Sequence, residues 1–303
     1  MQVPPAYPYP RTRAEFNAWY SSEAACLDYL MRLRWPKGYQ CPCGEKKMWR
    51  RGRGTLKCSA CRRETAILSS TLLHRTRFPL RTWLEVAWQI CEQKNGLSAL
   101  GLQHAVGFGS YHTAWEWLHR MRRVMVLAGR AKLNGEVEVD ETFVGGVKTG
   151  KRGRGAAGKV LVLIAAEVRK SAVGRIRLQI IPDATAATLL DAVEELVEPG
   201  SNVVTDGLSS YVGLTKRGFN HTVSRYTPMV GKNLLPKVNR VASLLKRWLV
   251  GTHQGAVSHH LLCHYLDEYT FRFNRRTSKS RGLLFHRLMC QAVSAEPIPK
   301  ARL

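Results

Sequence analysis

Acidic residues are scarce in this sequence. The 303-residue chain has 22 Asp and Glu against 47 Lys and Arg, a formal net charge of +25, and residues 207–266 hold no carboxylate at all. Long apolar runs are absent too. None approaches the ~18–20 residues that a bilayer-spanning helix needs. The opening stretch MQVPPAYPYPRTR has no apolar segment of the kind a secretory signal uses. The expectation is therefore a cytoplasmic protein with no membrane partner and no secreted disulfide scaffold. A disordered basic tail is excluded as well, because 45% of residues are hydrophobic and only 23% charged. What remains is a globular chain long enough for about two domains. Its charge calls for a polyanion, most simply nucleic acid.

The charge is unevenly placed. Residues 1–130 carry 21 basic and 8 acidic residues, residues 131–200 carry 10 of each, and residues 201–303 carry 16 and 4. Two basic regions flank a neutral middle that holds nearly half of the carboxylates. A generally basic, soluble surface would account for this. So would DNA-gripping parts around a segment whose acids have another task.

Four of the eight cysteines cluster as Cys41-Pro-Cys43 and Cys58-Ser-Ala-Cys61. Without a secretion signal, clustered cysteines read as metal ligands before disulfides. Two knuckles around a basic, strand-rich insert (MWRRGRGTLK) are the pattern of a zinc ribbon. A structural Zn²⁺ would draw the four thiolates into a tetrahedron and hold a segment too small for its own core. The first knuckle is Cys-x-Cys where ribbons normally have Cys-x-x-Cys. Buried free thiols or a decayed site are the alternative. Cys26, Cys91, Cys263 and Cys290 stand alone in apolar surroundings and read as core residues.

Residues 80–94 place apolar side chains at helical spacing and end at Asn95-Gly96, a helix stop. A short helix over about 97–106, a Gly107–Ser110 turn and a helix over about 111–126 follow. Ala114, Leu118, Met121 and Met125 line one face of the last, with Arg120, Arg122 and Arg123 elsewhere on it. This suggests a DNA-reading helix-turn-helix, with an ordinary helical hairpin as the alternative.

Residues 136–146 (EVEVDETFVGG) alternate as a strand, with Val137, Val139 and Phe143 on one face and Glu136, Glu138 and Asp140 on the other. Three acids on one strand face repel unless a cation or solvent is near. An exposed edge strand would carry them harmlessly. The glycine-rich, basic run 145–159 reads as a mobile hairpin connection able to lie along phosphates. Strands over 160–168 and 174–181, a helix over 185–200 and a short strand ending at Asp206-Gly207 complete an α/β pattern. If the strands carrying Asp140 and Asp206 are neighbours, the two acids make a site for Mg²⁺.

VEVDETFVGG, VVTDG, VNRVASLLKRWLVGTHQGAVS, YLDEYTFRFNRR and RGLLFHRL occur in that order, after the CPCG and CSACRR knuckles and SYHTAWEWLHRMRR. Together, from about residue 15 to 293, they resemble the DDE-type insertion-sequence transposases of the branch with an N-terminal zinc ribbon. The resemblance implies an RNase H-like mixed sheet with flanking helices, preceded by a small zinc ribbon and a helix-turn-helix-like connector. It divides the chain into a tail (1–15), ribbon with preceding helix (16–66), helical DNA-binding connector (67–130), catalytic domain (131–285) and C-terminal tail (286–303). It implies two Mg²⁺ ions, with Mn²⁺ as a substitute, and cleavage and strand transfer at the terminal inverted repeats of a mobile element. Target DNA and a homo-oligomer in the synaptic complex are the implied partners, in a prokaryotic, nucleoid-associated setting.

The family's first two catalytic acids match Asp140 and Asp206. At the third position the family helix offers Glu seven residues before a Lys, and here that place holds Asn239, seven before Lys246. Some members of the branch carry Asn there. An amide oxygen is a weaker ligand than a carboxylate for a hard cation. Asn239 is the favoured third ligand. Glu268 one helix later, next to Asp267, is the alternative, and Glu138 is a further candidate. Asn239, Ser243 and Lys246 share one face of a helix over about 238–250, so Lys246 reads as a phosphate clamp. Arg240, Arg247, Arg275, Arg276, Arg122 and Arg123 read as DNA-backbone contacts. His253, His259, His260 and His264 read as single surface or core residues, since no knuckle accompanies them. Rival functions are a non-catalytic zinc-ribbon DNA-binding protein, either a repressor or a decayed transposase, and a structure-specific nuclease.

Overall fold

The computed structural model describes residues 8–127, 129–145, 159–225, 233–255 and 257–297. They form two compact units, Met1–Leu127 with Ser278–Leu303, and Ala128–Thr277. No helix among the described residues is long and apolar enough to cross a membrane.

The first unit begins with two capped helices. Thr12 and Ser22 offer side-chain oxygens to the amides of Glu15 and Ala25, which fixes the starts of α1 (Arg13–Trp19) and α2 (Glu23–Arg34). Strands β1 (Met48–Arg51), β2 (Thr55–Cys58) and β3 (Glu64–Ala66) make a small antiparallel sheet, with a 3-10 turn at Gly52–Gly54 between the first two. Helices α3 (Leu80–Glu92), α4 (Ala99–Val106) and α5 (Tyr111–Arg123) follow. Gly107 closes α4 at φ 78°, the left-handed conformation that a helix-ending glycine supplies. Helix, glycine turn and helix thus stand where the sequence placed them.

The second unit is an α/β layer. Strands β4 (Glu136–Val144), β5 (Val160–Arg169), β6 (Ala172–Ile181), β7 (Asn202–Thr205) and β8 (Asn220–Val223) form one sheet in the order β6-β5-β4-β7-β8. The first three are antiparallel, while β7 runs parallel to β4 and β8 parallel to β7. This is the RNase H-like mixed sheet. Helix α6 (Ala186–Leu196) connects β6 to β7 and buries Leu189, Ala192, Val193 and Leu196 in a core shared with Val137, Val139 and Leu163. Helix α7 (Pro236–His253) packs on β4 and β5, and α8 (Leu262–Phe273) packs on the edge strand β6. Seven successive residues of β5, Leu161–Glu167, are therefore buried, which explains its unbroken apolar sequence.

Three expectations change here. The last helix, α9 (Arg281–Ser294), groups with the first unit and packs on α2 and α3, so the second unit ends at Thr277 rather than 285. Its stripe of Leu284, Phe285, Leu288 and Met289 is core, so 286–303 is not simply a tail. Cys263 is exposed, whereas Cys26 and Cys91 are buried. The basic connection between β4 and β5 falls at 146–158, outside the described residues.

Candidate active site

Strand alternation divides the β4 side chains. Val137 and Val139 enter the core shared with α6, and Glu138 and Asp140 face the other way. In the parallel pairing with β7, Glu136 is level with Asn202 and Glu138 with Val204. Two residues further on, this register sets Asp140 level with Asp206, the first residue after β7. Neighbouring residues in register project to the same side of a sheet. The turn behind Asp206 needs its glycine: Gly207 has φ 89°, and an added Cβ would lie 2.8 Å from Val223 Cγ1. Asp206 Oδ1 also accepts the Leu208 amide at 3.1 Å, which braces that turn.

The two acids feel each other. Burial, then the Glu141 carboxylate, raises the Asp140 carboxyl to about 7; Asp206 adds to the push, while the Glu141 amide and Lys246 oppose it. Glu141 faces the α6 side and accepts a 2.8 Å hydrogen bond from Tyr211 Oη. On α7, partial loss of solvent, then Lys159, lowers Lys246, with Asp140 pulling the other way.

Glu138 does something the sequence did not disclose. It is 6% exposed, and its Oε2 accepts the Lys237 amide at 2.7 Å and the Val238 amide at 3.0 Å. These are orphan donors of the first turn of α7. Leu235 at the N-cap has no side chain able to serve them, and Pro236 has no N–H to satisfy. The strand bearing Asp140 thus supplies the cap of the helix bearing Asn239 and Lys246. Burial raises the Glu138 carboxyl, against the two amides and Lys237. Glu138→Ala leaves two amides without an acceptor, and we expect it to cost ~1–3 kcal/mol in urea unfolding. Glu138→Gln, which keeps an acceptor, recovers part of that loss. Unchanged stability in both variants would remove the cap from the account.

The ribbon knuckles also converge. Cys41 Sγ lies 3.5 Å from Cys61 Sγ and Cys43 Sγ 3.6 Å from Cys58 Sγ, and all four sulfurs are within 4.8 Å of one another. Thiolates ~2.3 Å from a tetrahedral zinc stand about 3.8 Å apart, so this cluster fits the ion. The short Cys-x-Cys spacing is absorbed by a tight turn: the Gly44 amide donates to Cys41 O at 2.8 Å, with Gly44 at φ 92°. The Glu45 amide, then the neighbouring thiols, hold Cys43 down at about 7. Among the described residues no second group of His, Cys, Asp or Glu converges in this way, so the four histidines of 253–264 form no metal cluster.

Comparison with known families matches both regions of the chain. Residues 132–274 match the ISXO2-like transposase domain, and residues 21–64 match the transposase zinc-ribbon domain. The chain thus carries an ISXO2-like transposase domain behind a transposase zinc-ribbon domain. No curated protein matches it.

Not every residue expected to touch metal or DNA in this transposase is placed to do so. Asn239 and Lys246 are exposed on α7, and Asn239 Nδ2 donates to Asn233 Oδ1 at 2.7 Å, leaving its Oδ1 as the ligand-capable atom. Arg240 and Arg247 are exposed on the same helix. Glu268 is corrected: it is 1% exposed, pairs with Arg272 at 2.7 Å, and sits on α8 over β6, two strands from β4. Glu138 is committed to the α7 cap. Arg122 is also corrected. It is 1% exposed and bonded to His119 at 3.2 Å, because it lies one turn beyond the buried Leu118. Arg123 is half-buried.

Arg275 and Arg276 serve the fold of the transposase domain. Their guanidinium groups lie 4.2 and 4.1 Å from the Phe271 and Phe273 rings. Arg276 donates to the Val173 and Gly174 carbonyls, and Asn274 brackets Ile176 with bonds of 2.7 and 3.1 Å to its amide and carbonyl. The FRFNRR motif therefore ties α8 to β6.

Proposed function

We propose that this transposase binds the terminal inverted repeats of an insertion sequence and, with divalent metal, cleaves their DNA and joins it to a target. The observation that supports the reading best is the β4–β7 register, Glu138 level with Val204, which continued by two residues brings Asp140 level with Asp206 on the side of β4 where α7 packs. A half-buried Asp140 carboxyl raised by desolvation, by Glu141 and by Asp206 makes a site whose charge a divalent cation relieves. Carboxylate and amide oxygens are the hard donors that Mg²⁺ or Mn²⁺ takes. Asp140, Asp206 and Asn239 would hold the ions, two by the family pattern. When bound, the metal would supply activation of water or a 3′-hydroxyl and stabilisation of the leaving oxygen at phosphorus.

The chain's own groups do the positioning. Glu138 holds the start of α7, so the helix presents Asn239 and Lys246 to the acids from a fixed origin. Lys246 is placed to take a phosphate oxygen of the strand, as a point charge. Arg240 and Arg247 add backbone contacts along the same helix. The zinc ribbon and the helix-turn-helix would hold the repeat DNA. Acting on two ends together calls for a homo-oligomer, as the family implies.

The test is strand transfer of a labelled terminal-repeat duplex with Mg²⁺ or Mn²⁺. Joined product is expected from the wild type and from Asn239→Asp, which restores a charged ligand. Asn239→Ala is expected to lose about 10²-fold or more, a few kcal/mol of charge stabilisation. Full activity in Asn239→Ala would strike it from the site. Specific duplex binding with no cleavage under any metal would favour the non-catalytic reading.

A further inference from the structure

The first unit holds a cleft of about 550 Å³ between α2, the tip of the β1–β2 hairpin and the segment leading into α3. Its walls include Leu27, Ile67 and Leu80. Phe78 stands at its edge, 43% exposed, with its ring set against Trp117 at 5.1 Å and 87°. Glycines 52 and 54 of the hairpin tip line the opening. The polar lining residues are Glu23, Arg50, Arg51, Thr55 and Thr76. Arg51 is exposed and, among the described residues, bonds to no acid, and the Thr55 hydroxyl likewise has no partner. Neighbouring carboxylates are already spent. Glu23 accepts the Leu80 and Arg81 amides at 2.8 and 3.1 Å, and Asp28 pairs with Arg50.

An apolar, aromatic-edged cleft with a free arginine and no open carboxylate suits a flat ring carrying a negative charge. Its volume is in the ~300–1,000 Å³ range of pockets that enclose one small molecule, and a single nucleotide is of that size. A paired base within a duplex shows only its edge and cannot lay its face on Phe78. We propose that this cleft binds an unpaired nucleotide of DNA, with the base on Phe78 and the apolar wall and the phosphate on Arg51. The proposal rests on DNA being this protein's partner, as in the proposed function, and assigns it a preference for frayed or single-stranded ends. Base–aromatic stacking is sequence-tolerant, so the site reads unpairing and not sequence.

The test uses the full-length, zinc-loaded protein without Mg²⁺ or Mn²⁺. Fluorescence anisotropy compares a blunt duplex with the same duplex bearing a short single-stranded overhang. The overhang duplex is expected to bind about tenfold tighter, the effect of one stacked base. Arg51→Ala and Phe78→Leu should each remove most of that advantage, read as the ratio of overhang to blunt-duplex affinity within each variant. In the wild type, 5-iododeoxyuridine in the overhang should photocrosslink to the peptide containing Phe78. Equal affinity for the two duplexes, an advantage that survives both substitutions, or a crosslink confined to another peptide would overturn the proposal. No metal-dependent step enters the measurement. Failure of strand transfer would leave the overhang preference standing, and its loss would leave the proposed catalysis standing.

Discussion

Asp140→Asn should abolish strand transfer, by about 10³-fold or more, while leaving duplex binding intact. The substitution keeps the size of the side chain and removes only its charge. The charge is what a divalent ion at this position would use, and several kcal/mol of transition-state stabilisation is at stake, with each 1.36 kcal/mol worth tenfold. The same change should raise the melting temperature of the metal-free protein. Burial, Glu141 and Asp206 all oppose the Asp140 charge, so its removal relieves the fold. A carboxyl raised to about 7 from its ordinary 3.8 costs the folded state most above neutral pH and nothing well below 4. The wild-type gap to Asp140→Asn should therefore widen as pH rises from 4 to 8 and narrow as pH falls. An inactive variant of raised stability separates a functional loss from a folding defect. An active one would remove Asp140 from the chemistry, and an unstable one would overturn the electrostatic account. Asp206→Asn should match the activity loss with a smaller gain in stability, since Asp206 is exposed.

Removing zinc should unfold the ribbon. The β1–β2–β3 sheet contributes few core residues of its own, with Leu56 and Cys58 as its buried positions. Structural zinc supplies ~10–16 kcal/mol in small ribbon-like domains, against roughly 5–15 kcal/mol for the whole stability of a typical domain. Chelation, or Cys58→Ser at a fully buried sulfur, should release hydrogen-exchange protection across residues 41–66. Four thiols, Cys41, Cys43, Cys58 and Cys61, should become reactive on chelation. Duplex binding should weaken with them. Protection that persists after chelation, or a metal content near zero in the purified protein, would show that the thiols pack without the ion.

The parts of the site that the sequence disclosed are those set by short-range pattern. Alternation in VEVDETFV placed Asp140 opposite Val137 and Val139, and the ladder with β7 did the rest. Helical spacing in VNRVASLLKRWL placed Val238, Val241, Leu245 and Leu249 in the core and left Asn239 and Lys246 outside. Knuckle spacing marked the four sulfurs. What stayed hidden depends on partners far along the chain. Glu138 caps amides 99 and 100 residues away. A proline at the first helical position after a leucine was the only local hint that an acceptor would come from elsewhere. Arg275 and Arg276 of FRFNRR counted as DNA contacts because charge alone does not reveal the Phe271 carbonyl beside the one or the β6 carbonyls beside the other. Glu268 and Arg272 stand four apart on one helix, a spacing at which they were bound to meet. Arg122 is four residues after Leu118, so its burial was in the pattern and was outweighed by its charge. The place of α9 was hidden as well, since an amphipathic helix does not announce which domain it covers.

The most direct test of the central claim is a crystal structure of the protein soaked in Mn²⁺, with the ion located by its anomalous signal. The account predicts manganese roughly 2 Å from carboxylate oxygens of both Asp140 and Asp206, with Asn239 Oδ1 in the same shell. Manganese bound elsewhere, at Glu268 for instance, or no ion between the two aspartates, would contradict it.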